Sequence, residues 1–600
     1  MAEGVPDRRP SPDGTAAERE VPARRMALPP TSAGRRALAL PPTSAVLASV
    51  FLLAAMALLV LPVPATAAEP VTVTGEVRFT GGPDTLIAVD GRRYHGAIEL
   101  LADGQVVNDV DVERYVAGVA EMPSRWPMAA LEAQAVAART YAWWSAESAS
   151  HRGYDLCDTT ACQVYRGAEV VLDGGERWAA AVAATAGQVL VDDDGAPVLA
   201  RYFSTSGGRT YANEEVFPST GARDHLVAID DPYDEVSPYH RWEVRFNRAE
   251  FDEILARGER LAAAVPVAEV ERTGAVDDVD ARFVVRGEDG TEVEVGAVEL
   301  RDFLSRVAVS RFPDRFPTRR ADGLRPLPST VPSSRFTAEV TDGEVVLSGR
   351  GWGHGVGMGQ YGARGRAAAG HAAEEILAAY YGGLTPVASD ALPDRIRVGL
   401  GTPRDEVVVS GDDLLRIETE GEVVVERALG PWTATRTAQG WRLEPADAGQ
   451  DLAVAPTRLV DALTRPGEAV AVETELTAHA LLHLEVRAED GEVVRTDRLG
   501  VAEPGVHAAR WRYLDDDGEV VPAGTYAVAL VGEDADGVRG GSPVAVEVAA
   551  RDLPGPDEGA SPWGPWERAS GTLVLSAAAA LVLLLVVILL LVRSARRPSP

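Results

Sequence analysis

The chain has 600 residues, a formal net charge of −32, 46% hydrophobic content and two cysteines. This length and apolar fraction allow more than one core, and the acidic balance excludes bulk attraction to nucleic acid or to anionic wall polymers. All 58 basic residues are arginine, which excludes Schiff-base and lysine-base mechanisms.

Residues 45–61 form an apolar run after Arg35 and Arg36 and before the small-x-small stretch Ala65-Thr66-Ala67. That is the pattern of a secretory signal peptide ending an N-terminal extension, 1–67. Residues 70–116 alternate apolar and polar positions between Gly-rich turns and read as short strands. Pro127 predicts a helix running to about Glu147, with Ser124 as its cap and an apolar face of Leu131, Ala135, Ala138 and Ala142. A second helix at about 176–186 precedes a hairpin around Asp194-Gly195, which delivers Ser204-Thr-Ser-Gly-Gly208 onto a loop. Residues 240–330 mix strands and helices and read as an insertion or substrate-side subdomain.

Two strands flank Asp342-Gly343, followed by a Gly-rich loop and a helix over about 360–381. The pattern then becomes all-β: a β-rich region at 388–455, and evenly spaced strands suited to a sandwich at 466–549. A Pro/Gly-rich tether, 551–570, leads to an uncharged, predominantly apolar run, Leu573–Val592, and a basic tail, 593–600. At roughly 1.5 Å per residue that run reaches across about 30 Å of hydrocarbon, which predicts a membrane span. Trp563 and Trp566 before it, and Arg593, Arg596 and Arg597 after it, predict a cytoplasmic C-terminus and an extracytoplasmic bulk, single-pass in the cell membrane.

Three stretches carry candidate chemistry. Glu121 interrupts an apolar segment and is followed by Met122, Pro123 and Trp126; desolvation there favours the protonated acid needed to protonate a leaving oxygen. In Gly349-Arg-Gly-Trp-Gly-His354-Gly-Val-Gly-Met-Gly-Gln360-Tyr-Gly362 the glycines imply positive φ or close backbone approach, with His354 and Gln360 at the edge. Its last six residues fit a dinucleotide fingerprint, but the βαβ context is missing. Tyr202-Phe-Ser-Thr-Ser-Gly-Gly208 offers hydroxyls and backbone N–H groups, without the elbow of a serine hydrolase. Cys157 and Cys162 admit a nucleophile, a metal site or a disulfide; outside the membrane an isolated pair more readily forms a disulfide, a local staple for its segment.

Four ordered stretches over about residues 95–385, EMPSRWPMAALEAQAVAARTYA, CDTTACQVYRG, YFSTSGGRT and GWGHGVGMGQYGARG, together resemble the SpoIID/LytB family of bacterial cell-wall proteins. Residues 466–549, especially VVPAGTYAVALVGEDADG, resemble more weakly the Ig-like module of FlgD. The implied fold class is an α+β SpoIID-like catalytic domain at 70–386, then an all-β region with an Ig-like sandwich, then one C-terminal transmembrane helix. The implied activity is a peptidoglycan lytic transglycosylase that leaves 1,6-anhydro-muramic ends in cell-wall remodelling or sporulation. The resemblance puts its acid-base glutamate at Glu121 and substrate-binding roles at Gln134, Arg139, Tyr141, Ser204, Ser206, His354 and Gln360. The alternatives are a non-catalytic peptidoglycan-binding enhancer of an amidase, or a trans-envelope scaffold. Implied partners are glycan strands, an amidase or other wall hydrolase, and the membrane through the C-terminal helix, with no nucleic acid. No cofactor is required. Some relatives bind zinc near the cysteines, and His151, Cys157 and Cys162 preserve three ligand positions; Ala161 stands where relatives can place a histidine, leaving the fourth position to another group, to water or to a distant donor such as His371.

Overall fold

The computed structural model describes residues 70–148, 153–313, 315, 331–460 and 469–549. Among them are three hydrophobic cores. The first spans Val73 to Leu443 and carries two sheets whose strands come from both ends of that stretch. In the seven-stranded sheet, Val106–Asp111 pairs antiparallel with Arg395–Leu400, and Val77–Thr80 with Leu415–Thr419. In the six-stranded sheet, Val71–Thr74 pairs with Gly440–Pro445, and Ile87–Val89 with Glu406–Gly411. The strands of 388–455, expected as a region of their own, therefore complete the sheets begun by residues 70–111. The alternation that marks each strand is local, whereas its partner lies some 300 positions away.

Helices share this core with the two sheets. Helix α1 (Val112–Ala117) is capped by Asp111, whose carboxylate accepts from Glu113 N and Arg114 N at 2.9 and 3.1 Å. Helix α2 (Met128–Ser148) starts directly after Pro127 as the sequence predicts. Ser124 does not cap it; its hydroxyl accepts from Trp178 N at 3.3 Å. The expected single apolar face is also exceeded. Twelve of its 21 residues are buried, Gln134, Arg139 and Thr140 among them, because α2 runs through the lobe's centre, where alanines let neighbours approach from several sides. Those neighbours are α1, α3 (Glu176–Ala184), α4 (Gln360–Ala368) and α5 (Ala373–Tyr380).

The insertion has its own core, Trp242 to Leu347, around Phe246, Phe251, Phe283 and Phe336. Its strand Glu344–Gly349, paired with Trp242–Asn247, runs straight into the Gly-rich loop, and Trp242 Nε1 donates to Gly351 O at 2.9 Å. The third core, Val470 to Val548, lies in a sandwich of a three-stranded and a five-stranded sheet with Trp511, Leu484 and Leu530 inside.

One expectation is corrected. Residues 573–592 lie outside the described residues, as do the 45–61 run, the 551–570 tether and the 593–600 tail. Among the described residues no helix is long and apolar enough to cross a membrane. The longest of them, α2, carries Glu132, Gln134, Arg139 and Glu147 and is packed inside protein. The C-terminal transmembrane helix, the membrane contact through it and the single-pass placement are thus unsupported. What stands is an α+β domain followed by a β-sandwich.

Candidate functional site

Glu121 is held by a short ladder between two of the four motifs. Ala120 N donates to Val164 O at 2.8 Å and Arg166 N to Gly118 O at 2.9 Å, which brings Val164 N within 2.8 Å of Glu121 Oε1. The carboxyl is half-buried. Val164 sits two residues after Cys162, which is disulfide-bonded to Cys157 with Cα atoms 5.5 Å apart. The cross-link closes a turn whose other end is anchored by Leu156–Cys157 pairing with Val398–Gly399. It holds the strand that meets Glu121. His151 lies outside the described residues, and among those described no three His, Cys, Asp or Glu side chains gather as a metal site.

The other two motifs are tied to each other and then to Glu121. Tyr202–Phe203 pairs parallel with Met358–Gly359, and Thr205 bridges Trp352. Gly357 permits the pairing: its φ is +78°, and a Cβ there would collide with Arg201 O. Gln360, the first residue of α4, reaches Glu121 O and Gln134 Oε1 through its Nε2, both at 3.4 Å. The structure thus gathers Glu121, Gln134 and Gln360. Tyr141 is near, half-buried and packed on Trp144 at 6.0 Å between centroids; burial pushes its hydroxyl above the usual phenol range, and Arg201 opposes this.

The remaining expected residues sit differently. Arg139 is fully buried and engaged away from Glu121: it donates to Glu113 Oε1 and Oε2 at 2.9 and 2.5 Å and to Gln188 O at 3.0 Å. Ser206 is fully buried, its N–H on Asp234 Oδ1 at 3.0 Å and its hydroxyl accepting from Gly208 N at 3.1 Å. Ser204 is half-buried, its carbonyl taking Tyr361 N at 3.0 Å. His354 accepts from Val356 N through Nδ1 at 3.1 Å and donates from Nε2 to Tyr202 O at 3.0 Å. Burial between Phe203 and Phe217, with Arg201 nearby, holds its imidazole at about 4. The neutral ring is a clasp between two loops.

Sequence reasoning passed over several neighbours. Gln163, fully buried, accepts from Tyr202 Oη at 2.7 Å and donates to Ala138 O at 3.2 Å. Burial pushes the Tyr115 and Tyr202 hydroxyls well above the usual phenol range, and the charge of Glu121 acts on both. Trp126 meets Tyr361 edge-on at 4.8 Å, with the Arg364 guanidinium 5.4 Å from the Trp126 ring. Gln163 and Tyr202 lie inside quoted motifs, but one motif was read for its cysteines and the other for its serines.

Comparison with known proteins fits this arrangement. The SpoIID family model, Stage II sporulation protein, matches residues 102–191, which include Glu121, α2 and the disulfide. The FlgD Ig-like domain model matches residues 460–536. The chain therefore carries a SpoIID domain and a FlgD Ig-like domain. Among whole proteins it is similar to Stage II sporulation protein D of Bacillus amyloliquefaciens, 29% identical over 360 residues, covering 56% of this chain and 94% of that protein. It is also 29% identical over 302 residues to the amidase enhancer of Bacillus subtilis, covering 44% of this chain and 39% of that protein. An uncharacterized protein of Brachyspira hyodysenteriae is 29% identical over 310 residues, covering 49% of this chain and 73% of its own length. The crystal structure of FlgD from P. aeruginosa matches 16% of this chain and 70% of its own at 20% identity, with a TM-score of 0.13 that carries no weight for the fold.

Proposed function

We propose that this protein acts on bacterial peptidoglycan as a lytic transglycosylase, with Glu121 as its acid and base. In the first step Glu121 gives its proton to the glycosidic oxygen that leaves C1 of N-acetylmuramic acid. In the second, the 6-hydroxyl oxygen of the same sugar bonds to C1 and its proton passes to the Glu121 carboxylate, restoring the acid. No water is consumed, and one carboxyl suffices where a hydrolysing glycosidase needs two. The observation that carries the reading is the convergence of the motif segments on one half-buried glutamate, held by Val164 N on one side and by Gln360 at its backbone carbonyl. Trp126 and Tyr361, close by in sequence to Glu121 and Gln360, are the groups we assign to sugar-ring contact. Gln134, Gln360, Tyr141 and Ser204 are assigned to substrate positioning; Arg139, Ser206 and His354 are assigned to holding the frame.

The test is incubation of the purified protein with peptidoglycan, with and without stem peptides, followed by mass spectrometry for 1,6-anhydro-muramic ends. Wild type is expected to release them and Glu121→Gln to lose at least 100-fold of the rate, on the order of general acid catalysis. A Glu121→Gln variant as active as wild type refutes the role. The likeness to an amidase enhancer favours a second reading, in which the domain binds peptidoglycan and stimulates a partner amidase. That reading predicts no anhydro ends, and amidase stimulation that survives Glu121→Gln.

A further inference from the structure

We propose that Tyr115 is a positioning residue for Glu121, its hydroxyl setting how tightly that carboxyl holds its proton. The proposal rests on the reading of Glu121 as the proton donor. Tyr115 projects from α1, has no exposed surface and stacks on Tyr165 with ring centroids 5.1 Å apart. The buried tyrosines around it have engaged hydroxyls: Tyr165 donates to Asn108 Oδ1 at 2.7 Å, Tyr202 to Gln163 Oε1 at 2.7 Å, and Tyr381 to Arg201 O at 2.8 Å. Among the described residues Tyr115 Oη has no hydrogen-bond partner, and neither does the buried Nε2 of Gln134. A buried hydroxyl left unpaired lowers stability, and phenylalanine would fill the same slot without that cost. Its stacking partner Tyr165 directly follows Val164, whose N–H holds Glu121 Oε1 at 2.8 Å, so the unpaired phenol sits beside the segment that holds the carboxyl, where the charge of Glu121 acts on it.

A phenol that donates to the ionised carboxyl across one water favours the ionised form. Among the described residues, other groups around the site include Tyr141 on α2, Tyr165 on the cysteine segment, Tyr202 on the short strand with Arg201 just before it, and Arg364 on α4 beyond Trp126. The phenols are pushed up and His354 is held at about 4, so neither those phenols nor that ring changes charge between about pH 5 and 9. A change in the Glu121 titration on altering residue 115 therefore reports on the hydroxyl.

The experiment compares the full chain with Tyr115→Phe. It reads the Glu121 carboxylate band by isotope-edited infrared titration, assigned with Glu121→Gln, and the pH profile of kcat/KM. Tyr115→Phe is expected to leave the unfolding midpoint unchanged or raise it, and to move the Glu121 midpoint and the alkaline limb of kcat/KM upward by roughly one pH unit. 3-Fluorotyrosine at position 115, a stronger donor of nearly the same shape, moves the midpoint down and keeps the test open if the phenylalanine variant misfolds. An infrared midpoint that stays put in the folded variant overturns the proposal. A shifted midpoint in a protein that cleaves no glycan upholds the coupling and removes the transglycosylase reading instead.

Discussion

The clasp made by His354 supplies a pH-dependent stability that can be worked from its surroundings. In the unfolded chain the imidazole titrates near 6.5, and in the fold at about 4. The unfolded state therefore binds the proton first as pH falls. The stabilisation is full above 6.5, declines by about 1.4 kcal/mol per pH unit between the two values, and is gone below about 4. The whole difference comes to roughly 3 kcal/mol. Hydrogen exchange of amides in 202–206 and 352–362, corrected for intrinsic rates, reads the opening free energy of the two loops that the ring joins. His354→Asn keeps an acceptor for Val356 N, lacks the titration and loses the bond to Tyr202 O. Wild type is expected to lose about 3 kcal/mol in these loops between pH 7 and 4, and the variant to start lower and stay nearly flat. Taking the difference between the proteins removes shared titrations, such as those of Asp109 and Glu169, which also weaken the fold on acidification. Parallel curves for the two proteins refute the assignment of the ring as a buried neutral clasp.

Arg139→Met is expected to destabilise the first lobe by about 3–5 kcal/mol, read in chemical denaturation, because it strips a partly buried Glu113 of its partner. Glycan binding by the folded variant at low temperature should be unchanged; selective loss of binding with normal stability would mean that Arg139 reaches substrate. Cys162→Ser removes a closure of only a few residues, for which chain entropy gives about 2 kcal/mol. Its main effect should be faster exchange at 157–166 and a fall in glycan cleavage; uniform destabilisation of all three cores would contradict a local staple.

Much of this was legible where the signal was local. Pro127 and the alanine-rich run after it mark α2, and Asp194-Gly195 marks a turn in which Gly195, at φ +81°, donates to Asp192 O. The burial of α2 on most of its faces was not legible, because small residues permit close packing without saying how many neighbours will come. Partners of the sheet strands were hidden for a related reason: a period of two tells which face is buried and nothing about which strand lies alongside. At the site, Glu121 stood out as a charge among apolar residues. Gln163 and Tyr115 did not, since their meaning comes from a missing or distant partner rather than from their own chemistry. Arg139 looked like a ligand group by motif position, and the structure engages its donors inside the protein.

The interleaving of both chain ends in two sheets also sets an order of events in time. Val71–Thr74 takes its place only when Gly440–Pro445 exists to pair with it. At ribosomal speeds the intervening residues take on the order of half a minute to make. Throughout that interval the first strands have open edges, able to pair with whatever chain is near. The insertion, with a core and hairpins of its own, can fold in the meantime. A nascent chain of this kind stays incomplete until late, a state compatible with being threaded unfolded through a narrow pore and vulnerable wherever its strands meet another copy.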